Sequence, residues 1–178
     1  HLLAEVLKMV PGVKDVRLRF KQTPTCTVLP CADARVSFCS EILPELELAE
    51  WYRALTALVL PSRGEAWAFP ALHAMACGRP VIAAAFGGLT EYFGAHNGYA
   101  VNYRLERPQR TYYESGLWAS PDFDEMVAAM RDVYARRDKA ARLGAQAARD
   151  VAGLTWENSS QALADILSST GYFESKVV

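Results

Sequence analysis

The chain has 178 residues, of which 51% are apolar and 22% are charged, and its formal net charge is −1. This composition is typical of a soluble globular domain and excludes a disordered chain. The near-neutral charge provides no general attraction to nucleic acid or to an anionic membrane. No apolar run approaches the roughly 18 residues that indicate a membrane-spanning helix.

The beginning of the sequence gives little information on location. It has no signal-peptide pattern, and it starts at His1 in what reads as the middle of a helix. We therefore expect a fragment, a processed chain or an excised domain. The sequence does not identify the compartment, but it favours a soluble, cytoplasmic protein over a secreted one.

The first third of the chain predicts two helices and three strands. "LLAEVLKMV" spaces its apolar residues as a helix does and ends at a Pro-Gly turn. "VRLRFKQT" alternates apolar and basic residues, which predicts a strand, and "RVSFCSE" predicts another. "PELELAEWYRAL" predicts an amphipathic helix, and the apolar run "TALVLP" predicts a strand in the buried middle of a parallel sheet.

The middle of the chain continues the alternation. A loop from Ser62 to Trp67 leads into a helix predicted from about Phe69 to Cys77, and "RPVIAAA" predicts the next buried strand. "LTEYF" predicts a short helix, and "GYAVNY" predicts a final strand.

The last third is predicted to be irregular at first and then helical. Residues 104–118 are polar and are expected to form an irregular loop. Ser120 or Asp122 can cap a helix over "DEMVAAMRDVYARR". Further helices are predicted over "DKAARLGAQAARDVA" and from near Trp156.

Strands that alternate with helices predict an α/β fold with a doubly wound, Rossmann-like parallel sheet. We expect residues 1–170 to form a single domain and residues 171–178 to form a tail. Ligands of such sheets bind at the carboxyl ends of the strands. The Ser62–Trp67 loop and the Phe86–Gly88 loop each follow a predicted buried strand, so both are expected at the same edge of the sheet.

One segment, "GEAWAFPALHAMACGRPVIAAAFGGLTEY", combines several ligand-binding features. A helix that starts near Phe69 leaves backbone N–H groups unpaired and carries a partial positive charge, which suits a phosphate. Glu65 precedes this helix and suits the hydroxyl donors of a sugar, while Gly87 and Gly88 permit close approach of the backbone to a ligand. These residues predict a sugar-phosphate or nucleotide-sugar site, although a glutamate that only satisfies the helix dipole is an equally good explanation for Glu65.

The longer segment "PSRGEAWAFPALHAMACGRPVIAAAFGGLTEY" resembles the signature of the GT-B glycosyltransferases of family 4, the group 1 glycosyltransferases. The similarity covers most of residues 34–170 and is strongest over residues 58–103. The matching residues are Pro61, Ser62, Glu65, Trp67, Pro70, Ala74, Met75, Ala76, Gly78, Pro80, Val81, Ile82, Gly87, Gly88 and Glu91.

The resemblance implies the carboxyl-terminal, nucleotide-sugar-binding half of a two-domain enzyme. Such enzymes transfer a sugar from a nucleotide sugar to an acceptor with retention of the anomeric configuration, without an essential metal ion or other cofactor. The partners it implies are the nucleotide sugar and an amino-terminal acceptor domain, which is missing from this sequence together with the first strand of this half.

The resemblance also implies roles for individual residues. Glu65 contacts the hydroxyls of the donor sugar and is the predicted catalytic residue, and position 73 holds the ribose. The other predicted donor-binding residues are Ala68, Phe69 and Pro70 at the diphosphate, Gly87 and Gly88 in the loop beside the donor, and Lys21 in place of a missing basic pair.

Three positions depart from the family pattern, which has Glu at position 73 and Gly at positions 66 and 68. His73 in its neutral form has one acceptor nitrogen, so it can keep at most one of the two hydrogen bonds that a carboxylate accepts from a ribose. Ala66 and Ala68 destabilise the loop if their backbones need a positive φ angle. Readings without a ligand role remain open, with His73 packed on the helix and Lys21 solvated at a strand edge.

The four cysteines, Cys26, Cys31, Cys39 and Cys77, include no CxxC pair, and we expect no metal site. A disulfide between Cys26 and Cys31 remains open beside the expectation of reduced thiols. Cys77 is expected to pack as a small apolar residue.

Three functions remain open. The first is the donor-binding half of a retaining glycosyltransferase, weakened by His73 and inactive without its amino-terminal domain. The second is a degenerate glycosyltransferase-like domain that acts as a protein-interaction module, and the third is a nucleotide-sugar epimerase. The basic and aromatic residues between Arg104 and Tyr113 are expected to form a solvated loop, and no nucleic-acid partner is predicted.

Overall fold

A computed structural model describes residues 15–25, 33–108 and 116–170 of the chain. Four sequence predictions lie outside the described residues: the helix over residues 2–10, the pairing of Cys26 with Cys31, the middle of the polar stretch over residues 109–115, and the tail over residues 171–178.

Most predicted elements are present close to their expected positions. The strands are β1 (Leu18–Lys21), β2 (Val36–Cys39), β3 (Leu58–Leu60), β4 (Val81–Ala84), β5 (Tyr99–Val101), β6 (Tyr103–Glu106) and β7 (Trp118–Pro121). The α-helices are α1 (Glu45–Arg53), α2 (Phe69–Ala76), α3 (Phe123–Ala135), α4 (Arg137–Val151) and α5 (Trp156–Ser169), and a 3-10 helix covers Gly87–Glu91.

The predicted α/β fold with parallel strands is confirmed, but the parallel strands form two sheets rather than one. β1 pairs with β2 in the first sheet, and the second sheet has the order β3-β4-β5. β6 and β7 form a separate antiparallel hairpin. In the described part of the chain, β1 and β3 are therefore edge strands that do not pair with each other.

β4 carries the core of the second sheet and is buried along its whole length. Because successive side chains of a strand point to opposite faces, Val81 and Ala83 pack with α1, α2 and α4, while Ile82 and Ala84 pack with α3. Helices thus cover both faces of this strand, which confirms the doubly wound arrangement and explains why the segment is continuously apolar.

The strand predicted over "GYAVNY" is present as β5, but it is shorter than predicted and is not the final strand. The prediction of an irregular stretch throughout residues 104–118 is wrong, because β6 and β7 lie at its two ends. β5 ends at Val101, and Asn102 turns away to hold the carboxylate of Glu125 through its backbone N–H and its side chain, both at 2.7 Å. The chain then continues as β6. All four β6 residues are exposed, so the strand buries no face, although its sequence alternates apolar and polar residues.

The helix boundaries follow local hydrogen bonds. Of the two predicted caps of α3, Asp122 is the correct one, because its carboxylate accepts hydrogen bonds from the N–H groups of Asp124 and Glu125. Cys77 lies just beyond the end of α2, where its partly buried thiol donates to the carbonyl oxygen of Ala49 at 3.7 Å. Cys77 is a free thiol, as predicted, and so is Cys39.

The last helix, α5, is capped at its start by Thr155, whose hydroxyl accepts a hydrogen bond from the N–H of Asn158. None of its residues is buried, and Trp156 is 79% exposed. Throughout residues 15–25, 33–108 and 116–170, no helix is both long and apolar enough to cross a membrane.

Candidate functional site

The loop after β3 places Glu65 at the carboxyl end of the second sheet. Glu65 is partly buried and lines a small pocket of about 10 Å³ together with Ser62, Ala84 and Phe86. Its carboxylate makes no hydrogen bond or ion pair with any residue that the structure describes. The pocket has room for about one water molecule, so a larger ligand that reaches Glu65 must lie across its mouth.

The loop after β4 packs directly against the loop that carries Glu65, as predicted for two loops at one edge of the sheet. A Cβ atom at Gly88 would lie 1.8 Å from the carbonyl oxygen of Ala66, and one at Gly87 would lie 2.6 Å from that of Glu65. Gly87 also has a φ angle of +66°, which favours glycine. Both glycines are therefore required by the contact between the two backbones, whether or not a ligand is bound.

Ala68, which directly precedes α2, has φ and ψ angles of 58° and 56° and is the one non-glycine residue of the described ranges with a positive φ. This left-handed conformation costs an alanine about 1 kcal/mol relative to glycine. The carbonyl of Ala68 accepts hydrogen bonds from the N–H groups of Ala71 and Leu72. The predicted penalty for alanine thus applies at position 68 and does not apply at position 66.

Tyr92 stabilises the turn at Ala68 by hydrogen bonds, a role that was not identified from the sequence. Its hydroxyl oxygen lies 2.5 Å from the carbonyl oxygen of Trp67 and 2.9 Å from that of Ala68. Burial raises the pKa of Tyr92, and the nearby carboxylate of Glu65 raises it further. The hydroxyl therefore remains a hydrogen-bond donor at all physiological pH values.

The first turn of α2 has no side-chain cap, which leaves its backbone donors without a side-chain acceptor. Of the three residues predicted to hold a diphosphate, Ala68 and Phe69 have an N–H group, whereas Pro70 has none. The N-terminal turn can therefore offer two backbone donors and the positive end of the helix dipole to an anion.

His73 lies one turn further along α2 and is exposed. Its ring centroid lies 6.0 Å from that of Phe69 and 5.7 Å from that of Tyr52, and its nitrogens make no hydrogen bond to a described residue. His73 belongs to no group of three or more His, Cys, Asp or Glu residues that could hold a metal ion, and the described ranges contain no such group. The imidazole is thus open to a ligand that extends along α2 from its first turn.

Lys21, which was predicted to assist at the diphosphate, and Arg63, a basic residue of the Glu65 loop, both have protein partners. The ammonium group of Lys21 donates to the carbonyl oxygen of Glu41 at 2.6 Å. Lys21 lines a larger cavity, which also includes Pro70 and shares Leu60 with the small pocket at Glu65. Arg63 forms an ion pair with Glu106 at 3.3 Å. The structure therefore groups Glu65 with Gly87 and Gly88, and Lys21 does not line the pocket at Glu65.

A second residue that sequence reasoning missed is Asn97, which is fully buried. Its amide nitrogen donates to the carbonyl oxygen of Tyr92 and to the carboxylate of Asp150, both at 2.8 Å. Its amide oxygen accepts from the N–H of Gly94 at 3.0 Å. The hydrogen bond from Asn97 is the main cause that lowers the pKa of Asp150. Asn97 thus joins the segment after the 3-10 helix to α4.

Comparison with known sequences identifies a family. The family model for the group 1 glycosyl transferases matches residues 20–136. D-inositol 3-phosphate glycosyltransferase from Frankia alni is 61% identical over 101 residues, which cover 50% of this chain and 25% of the relative. The protein of the same name from Thermobispora bispora is 32% identical over 123 residues, which cover 69% of this chain and 25% of the relative. The chain spans a quarter of the length of these curated relatives.

Solved structures agree with this family. Sucrose-phosphate synthase from Thermosynechococcus elongatus matches with a TM-score of 0.59 and 29% identity, over 76% of this chain and 30% of that one. HepE from Anabaena, solved in complex with UDP-glucose, matches with a TM-score of 0.57 and 21% identity, over 77% of this chain and 33% of that one. The second likeness concerns the fold alone. The resemblance that the motif indicates is confirmed.

Proposed function

The chain belongs to the group 1 glycosyltransferase family, and we propose that it forms the donor-binding half of a retaining glycosyltransferase. In this proposal the half-enzyme binds a nucleotide sugar, and an acceptor-binding domain outside the sequence completes the active site. One observation carries the proposal: the Glu65 carboxylate has no described protein partner. The backbone of Glu65 is held at the carboxyl end of the sheet by its close contact with Gly87.

Glu65 is proposed to orient the donor sugar. An ionised carboxylate accepts strong hydrogen bonds from hydroxyl groups, and a carboxylate with no protein partner keeps all its acceptor sites for them. In a retaining transfer, the bond from the anomeric carbon to the diphosphate oxygen breaks, and a bond to the acceptor oxygen forms on the same face of the sugar. Fixing the sugar by its hydroxyls presents that carbon to the acceptor in one orientation.

The start of α2 is proposed to bind the diphosphate of the donor. The N–H groups of Ala68 and Phe69 and the helix dipole favour an anion there, while Pro70 contributes the shape of the turn. Lys21 can assist only if it exchanges its hydrogen bond with the carbonyl of Glu41 for one with the donor. Further positive charge is expected from the basic pair that the family resemblance places in a first strand outside this sequence.

His73 is proposed to face the ribose and to limit the affinity for the donor. A neutral imidazole accepts one hydrogen bond where a carboxylate accepts two, and the loss of one charge-assisted hydrogen bond costs roughly 1.5–3 kcal/mol. That loss raises the dissociation constant of the donor by about tenfold to a hundredfold. We also infer that donor binding requires no metal ion.

The test is calorimetric titration of this chain with UDP-, GDP- and ADP-glucose, with and without EDTA. We expect binding of at least one of the three, with no effect of EDTA, and about tenfold or stronger affinity in His73→Glu. Ala76→Glu is the matched control, because it puts the same charge at the exposed last residue of α2. Glu65→Gln is expected to weaken the binding of the nucleotide sugar and to leave that of the free nucleoside diphosphate unchanged.

If none of the donors binds and His73→Glu restores nothing, the chain has no donor site, and the protein-interaction module becomes the better reading. If product forms from the nucleotide sugar without any acceptor, an epimerase is the better reading. Because two relatives are named for D-inositol 3-phosphate, we propose this compound as the first acceptor to test in a longer polypeptide that includes the acceptor domain.

A further inference from the structure

The hydroxyl of Tyr92 contacts two consecutive peptide groups. It lies within hydrogen-bond distance of the carbonyl oxygens of Trp67 and Ala68, so the two carbonyls share its one proton. Both peptides are trans, and in a trans peptide the C=O and the following N–H point in opposite directions. Because the two carbonyls point towards Tyr92, the N–H groups of Ala68 and Phe69 point to the other side of the turn.

These two N–H groups lack a protein acceptor. Neither makes a hydrogen bond to a residue that the structure describes. Phe69 is 48% exposed, so a ligand can approach the turn from solvent. An anion on the side opposite Tyr92 therefore meets two adjacent donors at the positive end of the α2 dipole.

Tyr92 is itself held at both of its ends. Its backbone carbonyl accepts a hydrogen bond from the buried amide of Asn97 at 2.8 Å, and its ring packs against that of Trp67 with the centroids 5.3 Å apart. The residue is only 6% exposed. A close-packed side chain of this kind keeps its hydroxyl in one place, so it can fix the orientation of the peptide groups that it contacts.

The turn needs such a support because its conformation is unfavourable for alanine. Ala68 has φ and ψ angles of 58° and 56°, in the left-handed region that favours glycine. Without the hydrogen bonds from Tyr92, rotation of Ala68 into a right-handed or extended conformation relieves this strain. The same rotation turns the two peptide groups and moves the N–H groups of Ala68 and Phe69 away from their common side.

We propose that Tyr92 is a positioning residue for the diphosphate of the nucleotide sugar. It acts through the turn and not on the donor, because its one proton is shared by two carbonyls of the protein. By holding Ala68 in the left-handed conformation, it keeps the N–H groups of Ala68 and Phe69 directed at the phosphate oxygens. This inference rests on the proposed function, because it concerns how the same diphosphate is held.

The test is calorimetric titration with UDP, GDP and ADP, under conditions where urea denaturation shows that every variant is folded. Tyr92→Phe is expected to bind the nucleoside diphosphate about tenfold more weakly or worse, because at least one charge-assisted hydrogen bond from the turn is lost. A tyrosine that only stabilises the fold does not change the affinity of the folded protein.

Tyr99→Phe is the matched control for the loss of a hydroxyl. The hydroxyl of Tyr99 donates to the carboxylate of Asp132 on α3 at 2.9 Å. Tyr99 packs in the cluster on the α3 side of β4, whereas Ala68 packs in the cluster on the opposite side. Tyr99→Phe should therefore lower the free energy of unfolding and leave the affinity for the nucleoside diphosphate unchanged.

A second variant separates the orientation of the turn from the loss of the hydroxyl itself. Glycine adopts the left-handed conformation without a steric penalty, so Ala68→Gly keeps the turn available when Tyr92 is replaced. The double variant Ala68→Gly/Tyr92→Phe is expected to recover at least about threefold of the lost affinity. Ala66→Gly/Tyr92→Phe is its control and should recover none, because residue 66 has no positive φ.

NMR tests the two donors directly, with inorganic pyrophosphate as the probe. In the wild-type chain, pyrophosphate is expected to move the amide proton resonances of Ala68 and Phe69 downfield, because both N–H groups donate to an anion. In Tyr92→Phe, at least one of the two shifts should be lost at the same concentration of pyrophosphate.

Four outcomes would overturn the inference and leave the proposed function in place. They are equal affinities of the wild type and Tyr92→Phe, an equal loss of affinity in Tyr99→Phe, no recovery in Ala68→Gly/Tyr92→Phe, and no response of either amide to pyrophosphate. If the wild-type chain binds none of the nucleoside diphosphates, the proposed function falls and this inference falls with it. The wild type alone thus decides the function, and the variants decide the role of Tyr92.

Discussion

The hydroxyl of Tyr92 lies 2.9 Å from the carbonyl oxygen of Ala68, which is the one non-glycine residue of the described ranges with a positive φ angle. The same hydroxyl lies 2.5 Å from the carbonyl oxygen of Trp67. A side chain 24 residues away in the sequence thus anchors a strained turn at the start of α2. The position of the Glu65 loop depends on this anchor, because the turn directly follows that loop.

Ala68→Gly is expected to raise the free energy of unfolding by about 1 kcal/mol, because glycine adopts the left-handed conformation without a steric penalty. Ala66→Gly is the matched control, because residue 66 has no positive φ and gains nothing from glycine. Urea denaturation followed by circular dichroism measures both values. A loss of stability in Ala68→Gly would show that the turn at residue 68 is not strained.

Tyr92→Phe is expected to lower the free energy of unfolding by about 1–3 kcal/mol, because two buried carbonyl groups lose their shared donor. Tyr103→Phe is the control, because Tyr103 is 39% exposed and its hydroxyl makes no hydrogen bond to a described residue. The same denaturation experiment applies. Equal effects of the two substitutions would contradict the anchoring role of Tyr92.

Alkaline pH is expected to destabilise the fold through two buried tyrosines. Burial raises the pKa of Tyr52 to about 12, and burial also raises the pKa of Tyr92. The folded protein holds both protons more tightly than the unfolded chain, whose tyrosines titrate near pH 10. The free energy of unfolding is therefore unaffected by these groups below about pH 10 and falls as the pH rises towards 12. Urea denaturation at several pH values should show a shallower decline in Tyr52→Phe, and an unchanged decline would contradict the assignment.

The sequence predicted the parallel strands because burial on both faces or regular alternation marks them. It did not reveal β6, whose four residues are all exposed and whose pairing with β7 depends on partners more than ten residues away. It also did not reveal the separation of β1 from β3, because a strand's pattern shows how buried it is and not which neighbour pairs with it.

The parts of the candidate site that were predicted are those whose residue type and position next to a helix or strand indicate a role. They are Glu65, which precedes a helix, and the pair Gly87 and Gly88, which follows a strand. The reason for the glycines, contact with the carbonyls of Glu65 and Ala66, needs the three-dimensional structure. Tyr92 and Asn97 were missed because the contacts that distinguish them are distant in sequence: Tyr92 bonds to Ala68, 24 residues away, and Asn97 bonds to Asp150, 53 residues away. Neither residue type is unusual in a sequence, and only the hydrogen bonds distinguish them.

Gly88→Ala is expected to lower the free energy of unfolding by about 1–3 kcal/mol, because the added methyl group overlaps the backbone carbonyl of Ala66. Since that overlap displaces the Glu65 loop, nucleotide-sugar affinity should fall as well. Gly64→Ala is the control in the Glu65 loop, because its added methyl group would lie 3.9 Å from Trp118, an ordinary contact. Denaturation and calorimetry measure the two effects, and a neutral Gly88→Ala would show that the two loops can separate without loss.

Asn97→Ala is expected to lower the free energy of unfolding by about 2–3 kcal/mol, because the carbonyl of Tyr92, the N–H of Gly94 and the carboxylate of Asp150 all lose a partner. Asn158→Ala is the control, because Asn158 is exposed and its side chain makes a single described hydrogen bond, to the carbonyl of Gly153. Urea denaturation near neutral pH measures both.

Asn97→Ala should also change how the free energy of unfolding depends on pH in the acid range. The hydrogen bond from Asn97 lowers the pKa of Asp150 most, and Gln146 and His96 lower it further. Because the folded pKa is below the unfolded one, the stability that Asp150 contributes is present above about pH 4 and is lost as the pH falls through the folded pKa. The decline in the free energy of unfolding between about pH 5 and pH 2 should therefore be smaller in Asn97→Ala than in Asn158→Ala. Identical acid profiles for the two variants would show that Asn97 does not stabilise the ionised form of Asp150.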